Sequence, residues 1–264
     1  MTKPHPLGTP QKIVSASLSS TNQVVFSMAE PFLDGGKRIL DLGCGKGHMT
    51  RLLADGLAAK GVQAAEALTA CDVVGEGYAC HDINFITADL NKALPFASDS
   101  LDLIVSVEVM EHIHMFYGLL EECSRILRPD GVLIFSVPNI LHVVSRLSFL
   151  TTGFYHMFIV PSTDLRRAGT LCGHVMPLSL AYLAYGLRRS GFGEIQVYPD
   201  RRKKSAIVLS MLFYPVFKLG SMLYKRKINK YNSMVYEENR SVIPAMNSFD
   251  MLTSRSCILV AKKR

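Results

Sequence analysis

An apolar run that ends in a carboxylate and passes into three alternating glycines is the most constraining feature of the sequence. It reads Ile-Leu-Asp-Leu-Gly-Cys-Gly-Lys-Gly over residues 39–47, and a helical pattern follows it. Glycine at these positions lets the backbone turn tightly and lets a ligand lie against it without a Cβ in the way. The spacing differs from the G-x-G-x-x-G of dinucleotide sites. The segment therefore predicts a strand, a ligand-binding loop and a helix.

Short β-rich runs alternate with helical patterns from residue 37 onward, which is typical of a doubly wound α/β sheet. Strands are predicted at 37–42, 67–73, 84–89, 101–108, 131–138, 194–199 and 256–262. Helices are predicted at 21–32, 49–60, 110–128 and 178–190. The second and third strands are so close in sequence that any helix between them must be short or absent.

One domain with two insertions is the expected organisation. Residues 1–36 form a helical lead-in, and residues 37–264 form the α/β domain. The insertions are 139–177, rich in aromatic residues and methionine, and 201–252, which is basic and apolar. The six cysteines include no C-x-x-C pair, and the N-terminus lacks the apolar stretch of a secretory signal. A reducing, cytoplasmic location is therefore expected.

Three carboxylates stand at or near the ends of successive predicted strands. Asp41 precedes the glycine loop, Asp72 ends the second strand, and Asp89 ends the third. Ligands of open α/β sheets lie at the carboxyl ends of the strands, so the three acids should converge on one cleft. Asp41 suits a cationic amino group, Asp72 suits the two hydroxyls of a ribose, and Asp89 suits an adenine amino group. The alternative is that Asp72 and Asp89 merely begin loops.

The segments DLGCGKG, TACDV, TADL, VSVEVMEHI and LRPDGVLIFSVPN together resemble the motifs of class I S-adenosylmethionine-dependent methyltransferases. The resemblance extends to the type 11 and ubiquinone-pathway members, and it covers residues 37–138 with looser likeness over 174–200 and 254–262. It implies a seven-stranded, mostly parallel sheet with an antiparallel last strand and S-adenosylmethionine over the glycine loop. The residues it implies at the cofactor are Asp41, Gly43, Cys44, Gly45, Gly47, Asp72, Val73, Asp89, Leu90 and Glu108.

Residues 108–112 carry two carboxylates and an imidazole after the fourth strand. On the predicted helix, Glu108, Glu111 and His112 share a face at i, i+3 and i+4. They suit a general base, with His112 and Glu111 as the catalytic pair, or a site for Mg²⁺ or Mn²⁺. The E-x-x-E-H pattern resembles ubiquinone-pathway O-methyltransferases and small-RNA 3′-terminal 2′-O-methyltransferases. The resemblance to the RNA group implies that His174 completes a metal set of Glu108, Glu111, His112 and His174. Alternatively, the pattern is structural and His112 packs against the cofactor.

The positive charge of the chain is concentrated in one stretch. Residues 201–236 hold nine basic residues and no acidic one, which leaves 20 basic against 22 acidic residues elsewhere. Residues 205–223 within it are a long apolar run interrupted by Pro215 and Lys218. A kinked helix or helical hairpin lying on an anionic membrane surface is the predicted structure. The alternative is a buried core helix with solvated basic ends.

The leading functional hypothesis is O-methylation of a saccharide or lipid-linked glycan by an enzyme that is peripheral on the inner face of the cell membrane. It rests on residues 173–178 and the basic-apolar insertion, which resemble segments of bacterial cell-surface polysaccharide methyltransferases. A second hypothesis is methylation of a prenyl-quinone-type lipid or of the 3′-terminal ribose of RNA. Nucleic acid is disfavoured because the charge outside 201–236 is negative. A third is a non-catalytic, membrane-attached scaffold that binds the cofactor.

Overall fold

A computed structural model describes residue 13, residues 17–160 and residues 173–264. It contains a seven-stranded sheet with helices on both faces. The strands are β1 (Ile39–Leu42), β2 (Leu68–Asp72), β3 (Asn84–Thr87), β4 (Leu101–Val107), β5 (Leu127–Pro138), β6 (Phe192–Pro199) and β7 (Ser256–Lys263). The helices are α1 (Ser19–Ala29), α2 (His48–Ala59), α3 (Ala64–Ala67), α4 (Phe116–Ile126), α5 (Val143–Thr152), α6 (Leu180–Arg189), α7 (Lys204–Tyr231), α8 (Ser233–Glu238), α9 (Val242–Ala245) and α10 (Phe249–Thr253).

The sheet has the order β3-β2-β1-β4-β5-β7-β6. Strands β1 to β5 run parallel, and β7 lies antiparallel between β5 and β6. The fold class and all seven predicted strands are therefore confirmed, including the antiparallel last strand. Since β1 pairs with β2 on one side and β4 on the other, the strand order reverses there. Such a switch point opens a crevice at the carboxyl ends of the strands.

Two apolar cores, one on each face of the sheet, hold the helices in place. On one face Val25 of α1 and Leu53 of α2 pack with Ile39. On the other face Phe116 of α4 and Leu187 of α6 belong to the same cluster as Leu40. All four residues of β1 are buried, as expected of a central parallel strand covered on both sides. The glycine loop thus follows a strand that is buried on both faces.

The predicted helix at 110–128 is wrong over residues 110–115. Residues Met110–His112 form a single 3-10 turn, residues 113–115 are not helical, and α4 begins only at Phe116. The N–H of Met115 donates to Asn91 Oδ1 over 3.1 Å, which fixes the interruption to a neighbouring loop. Glu108, Glu111 and His112 therefore do not share a helix face. At the other end, β5 begins at Leu127, earlier than the predicted strand at 131–138, and its first residues pair irregularly with β4.

The lead-in and the two insertions decorate this core. Helix α1 and a 3-10 turn over Glu30–Phe32 match the predicted lead-in helix. The connection over residues 73–83, all of it described, has no helix, as its shortness predicted. The first insertion contributes α5, and its residues 161–172, with Cys172, lie outside the described part of the chain, as do residues 1–12 and 14–16 of the lead-in. The second insertion is one long helix, α7, followed by α8, α9 and α10.

Candidate active site

A cavity of about 570 Å³ opens at the carboxyl ends of β1, β2 and β4. It lies where the strand order reverses, and its volume is typical of a small-molecule or cofactor site. The glycine loop forms one wall, and the segment that follows β4 forms another. Among the residues implied at the cofactor, Asp41, Gly43, Cys44, Gly45, Asp72 and Glu108 line it.

The glycine loop has the shape of a cradle. The N–H groups of Gly43 and Cys44 donate to the carbonyl of Cys71 over 2.8 and 3.1 Å, which ties the loop to β2. Gly43 has a φ of +76°, and a Cβ there would lie 2.5 Å from Cγ2 of Val109. Gly45 also has a positive φ, but a Cβ there would meet nothing within 4 Å. The loop therefore offers open space to a ligand beside Gly45, as the resemblance to cofactor-binding loops implies.

Asp72 connects the second strand to this cradle. Its Oδ2 accepts the N–H of Gly45 over 2.8 Å, and its Oδ1 accepts the N–H of Val74 over 3.3 Å. The carboxylate faces the cavity and retains lone pairs for further donors. Val73, which the resemblance implied beside it, does not line the cavity; its side chain is 57% exposed, and Val74 lines the wall instead.

Asp41 is a buried carboxyl group at the floor of the cavity. Its Oδ2 accepts a hydrogen bond from the Thr50 hydroxyl over 2.5 Å. Burial is the main cause that raises the pKa of Asp41 to about 7; the nearby charge of Asp72 adds to that rise, and the hydrogen bond from Thr50 opposes it. A cationic group placed against Asp41 would favour its ionised form. The cradle and this buried acid together fit S-adenosylmethionine, whose amino group is cationic.

Asp89 and Leu90 lie outside the residues that line the cavity. The Asp89 carboxylate accepts the N–H of Asn91 over 3.0 Å and pairs with Lys92 at 3.2 Å, and these contacts lower its pKa. Leu90 is buried in the core on the α4 face. Neither residue lines the cavity, and the contacts of Asp89 and Leu90 with the cofactor stay predictions.

Glu108 directly follows β4 and has a left-handed backbone conformation, with a φ of +55°. Its N–H donates to the Ser136 carbonyl over 3.2 Å, and its Oε1 accepts the Ser136 hydroxyl over 3.2 Å. Burial raises the pKa of Glu108, while contacts with Ser256, Arg255 and Ser136 oppose that rise. The left-handed turn redirects the chain and carries the next residues beneath the cavity.

Glu111 and His174 meet although they are far apart in sequence. The Glu111 carbonyl accepts the N–H groups of Val175 and Met176 over 2.9 and 3.0 Å, which fixes the later segment against the turn. His174 Nε2 then lies 3.8 Å from Glu111 Oε1, and the rings of His174 and His112 are 4.9 Å apart. His112 and His174 line the cavity, whereas Glu111 stands behind them.

The Glu111 carboxyl group is buried, and neither oxygen meets a hydrogen-bond donor among the residues that the structure describes. Burial, followed by the charge of Glu108, raises the pKa of Glu111 well above its ordinary value. Burial, with the neighbouring His112, lowers the pKa of His174. An uncompensated buried acid is costly, so this carboxyl group needs a proton or a cation close by.

Three of the four predicted metal ligands are brought together. Ligand atoms of Glu111, His112 and His174 lie within 4.8 Å of one another, whereas Glu108 bonds to Ser136 instead. The orphaned Glu111 oxygens are consistent with a cation there. Two imidazoles and one carboxylate suit Mn²⁺ or Zn²⁺ better than Mg²⁺, which prefers oxygen ligands.

Some cavity residues were missed from the sequence. Arg255 lies directly before β7 and lines the cavity, and its positive charge lowers the pKa of Glu108. Ser17, Leu18 and Asn22 also contribute, so the start of α1 closes one side. None of these residues belongs to a motif. The one sequence signal that could have identified Arg255 is its position directly before the predicted last strand, which pairs with β5.

Comparisons with known proteins agree with this geometry. Residues 40–135 match the family model described as a methyltransferase domain. Similar proteins include a ubiquinone biosynthesis O-methyltransferase of Neisseria meningitidis, 26% identical over 50% of this chain and 63% of that protein. The Coxiella burnetii protein of that name is 31% identical over 39% of this chain and 44% of that protein. The Nitrosococcus oceani protein is 28% identical over 58% of this chain and 78% of that protein. The chain spans less than two thirds of the length of the Neisseria and Coxiella proteins.

Solved structures of low sequence identity share the fold. A methyltransferase described as S-adenosylmethionine-dependent, from Archaeoglobus fulgidus, has a TM-score of 0.54 at 16% identity, covering 92% of this chain and 94% of that one. Phosphoethanolamine N-methyltransferase 2 of Haemonchus contortus, in complex with S-adenosyl-L-methionine, has a TM-score of 0.53 at 17% identity, covering 93% and 52%. The matched domain and the shared fold confirm the resemblance found in the sequence.

Proposed function

We propose that this class I S-adenosylmethionine-dependent methyltransferase transfers a methyl group to a hydroxyl oxygen of a prenyl-quinone-type phenol. The observation that carries the proposal is the buried Glu111 carboxyl group beside His174, with His174 and His112 facing the cavity. Methyl transfer to a hydroxyl requires removal of its proton, and this group of side chains suits that task. The quinone-pathway names of the relatives support the choice of acceptor. The saccharide hypothesis rests on a loose resemblance and gains no support from those relatives.

The bound cofactor would supply an activated methyl group, so the chain must mainly orient the two reactants. Asp41 would hold the cationic amino group of the cofactor, and Asp72 would accept from the ribose hydroxyls. The open space beside Gly45 would let the cofactor lie along the loop.

His174 or His112 would accept the proton of the acceptor hydroxyl. An imidazolium formed at His174 would be stabilised by the ionised form of Glu111, 3.8 Å away. If a divalent ion is present, Glu111, His112 and His174 would hold it, and it would lower the pKa of the acceptor hydroxyl. Both routes use the same three residues and differ in their response to chelation.

Transfer of labelled methyl from S-adenosylmethionine tests the proposal. The purified protein is offered a short-chain prenylated phenol with a free hydroxyl and, separately, a lipid-linked saccharide. Methylation of the phenol alone is the expected result, whereas methylation of the saccharide alone would contradict the acceptor class. Binding of S-adenosylhomocysteine with no transfer to either would favour the scaffold hypothesis. Loss of activity with EDTA and recovery with Mn²⁺ would favour the metal route.

The first prediction concerns Asp72. Replacing it with alanine removes two hydrogen bonds from the ribose to a charged acceptor, each contributing about 1.5–3 kcal/mol. We expect the affinity for S-adenosylhomocysteine, measured by calorimetry, to fall at least about tenfold. Asp82→Ala is the matched comparison, since Asp82 lies in the connection that follows β2 but outside the cavity lining. We expect it to change affinity by less than about threefold. Unchanged binding by Asp72→Ala would refute the ribose assignment.

The second prediction concerns pH. Because the pKa of Asp41 is raised to about 7, its carboxyl group is mostly protonated below neutral pH and mostly ionised above it. Binding of the cationic amino group requires the ionised form. We therefore expect the affinity for S-adenosylhomocysteine to fall about tenfold between one pH unit above and one unit below that pKa.

Asp41→Asn is the control for this pH dependence. It keeps the shape of the side chain but cannot titrate, so its affinity should be lower and nearly independent of pH over the same interval. Any slope that remains in the variant reports the ligand's own titration. Equal slopes for the wild type and the variant would show that Asp41 does not bind the amino group.

A further inference from the structure

We infer that the outward face of α7 binds an anionic lipid surface, with the helix lying along the membrane rather than crossing it. Helix α7 is long and apolar enough to span a bilayer by length and composition. Only Ala206 and Ser210 of its residues are buried. The alternative of a buried core helix is therefore wrong. This inference does not depend on the proposed reaction, because it concerns a different surface.

One side of α7 is fixed to the domain. The Ser210 hydroxyl donates to the carbonyl of Leu252 over 3.3 Å. The guanidinium of Arg146 lies over the ring of Phe217 at 4.8 Å, and Ser221 accepts a hydrogen bond from Asn247. With a rise of about 1.5 Å per residue, these contacts hold the helix against protein for about 16 Å. A spanning helix would need lipid on that side, so the contacts exclude a simple crossing.

The opposite side of α7 is apolar and exposed. At about 100° per residue, Val208, Leu212, Leu219 and Met222 project away from the Ala206 side. Val208 is 67% exposed, Leu212 70% and Leu219 52%. Contiguous exposed apolar surface of this kind marks a binding surface rather than ordinary scatter. The described part of the chain provides nothing that covers these side chains.

Basic residues bound the apolar face at both ends. Lys204 precedes it, and Arg226 and Lys230 follow it on the same side of the helix. No acidic residue occurs between positions 201 and 236. An apolar stripe between cationic ends matches the layering of an anionic membrane, where acyl chains lie beneath negatively charged headgroups.

The charge distribution also argues against a second copy of the chain as the occupant. An antiparallel pair of α7 helices would bring Lys204 of one copy close to Arg226 and Lys230 of the other. Like charges placed opposite one another destabilise such a contact. An anionic lipid surface satisfies the apolar stripe and the basic ends together.

Lipid at α7 would lie close to the cavity. The N–H of Arg255, which lines the cavity, donates to the carbonyl of Arg201 over 3.3 Å, three residues before α7 begins. The N-terminal end of α7, where Lys204 would meet the headgroups, therefore lies near the cavity.

Co-sedimentation with vesicles tests this inference on the full chain. The probes are phosphatidylcholine vesicles with and without phosphatidylglycerol. We expect the wild type to sediment with the anionic vesicles and to remain in solution with the neutral ones. The double variant Leu212→Glu/Leu219→Glu should bind the anionic vesicles at least about tenfold more weakly.

Two further variants make the test specific. Tyr182→Glu/Tyr185→Glu places the same two charges on α6, where the side chains are 62% and 55% exposed, and should bind as the wild type does. Arg226→Glu/Lys230→Glu should weaken binding to anionic vesicles through charge alone. Wild-type protein that fails to sediment, equal binding by Leu212→Glu/Leu219→Glu and Tyr182→Glu/Tyr185→Glu, or protein that resists extraction at alkaline pH would each overturn the inference. A dimer in solution that Leu212→Glu/Leu219→Glu dissociates would overturn it in favour of a second copy.

Discussion

Replacing Glu111 with glutamine should lower the turnover number by about 100- to 10,000-fold and leave the affinity for S-adenosylhomocysteine unchanged. Glutamine keeps the volume of the side chain but cannot carry the charge that stabilises an imidazolium at His174, 3.8 Å away. It is also a poorer ligand for a divalent ion. Glu111 does not line the cavity, so cofactor binding should be spared. The measurements are steady-state turnover on the acceptor that the wild type methylates and calorimetric binding.

Stability separates this role from a structural one. The Glu111 oxygens are buried without a donor among the described residues, so a neutral amide should leave the melting temperature unchanged or raise it. Calorimetric titration with Mn²⁺ then distinguishes the two routes. If a metal is used, the wild type should bind Mn²⁺ and Glu111→Gln should not. Turnover within about threefold of the wild type would contradict both the base and the metal hypotheses.

The framework of the fold could be predicted because its signals are local. The segments that form β1, β4 and β5 are predominantly apolar, as expected of strands covered on both faces. The glycine loop was recognisable because positive φ angles at Gly43, Gly45 and Gly47 exclude most other residues. A backbone conformation that only certain residues adopt is therefore visible as a short pattern in the sequence.

The turn that carries Glu111 could not be predicted in the same way. Residues 110–128 have helical periodicity, yet the helix starts only at Phe116 because Met115 is hydrogen-bonded to Asn91. The left-handed conformation of Glu108 is also imposed by contacts with Ser136, a residue of the neighbouring strand. Tertiary contacts thus override helical propensity at the site. Glu111 and His112 do lie together as predicted, but they lie on a 3-10 turn and not on one face of a helix.

The surroundings of the long apolar helix α7 could not be predicted from the sequence either. Composition alone is compatible with a core helix, a spanning helix or an interfacial helix, and the three differ only in what surrounds the side chains. The structure speaks against the core helix because it shows that one face of α7 meets α5 and α10 and that the other face is left exposed. The interfacial arrangement stays the proposal made above. Likewise, Arg255 joins the cavity only because β7 inserts between β5 and β6. Neither fact has a short-range pattern in the sequence.

Replacing Gly43 with alanine should lower the free energy of unfolding by about 2–4 kcal/mol and impair cofactor binding. Two effects add. The backbone φ of +76° is unfavourable for alanine, and its Cβ would lie 2.5 Å from Cγ2 and 2.7 Å from Cγ1 of Val109. Relief of that overlap must move the loop, Val109 or both. Movement of the loop would disturb the bonds from Gly43 and Cys44 to Cys71. Urea denaturation and calorimetric binding of S-adenosylhomocysteine measure the two losses.

Gly61→Ala is the matched control, because Gly61 has the same φ of +76° but a Cβ there would meet nothing within 4 Å. Its free energy of unfolding should fall only by the cost of the backbone conformation, about 1 kcal/mol, and its affinity for S-adenosylhomocysteine should be unchanged. Adding Val109→Ala removes the atoms that Cβ would strike, so Gly43→Ala should be less damaging in that background than in the wild type. A loss for Gly43→Ala no larger than for Gly61→Ala would show that the close approach of the loop to Val109 does not constrain residue 43. If Gly43→Ala lowered the free energy of unfolding equally in the wild type and in the Val109→Ala background, the effect would come from the backbone conformation alone.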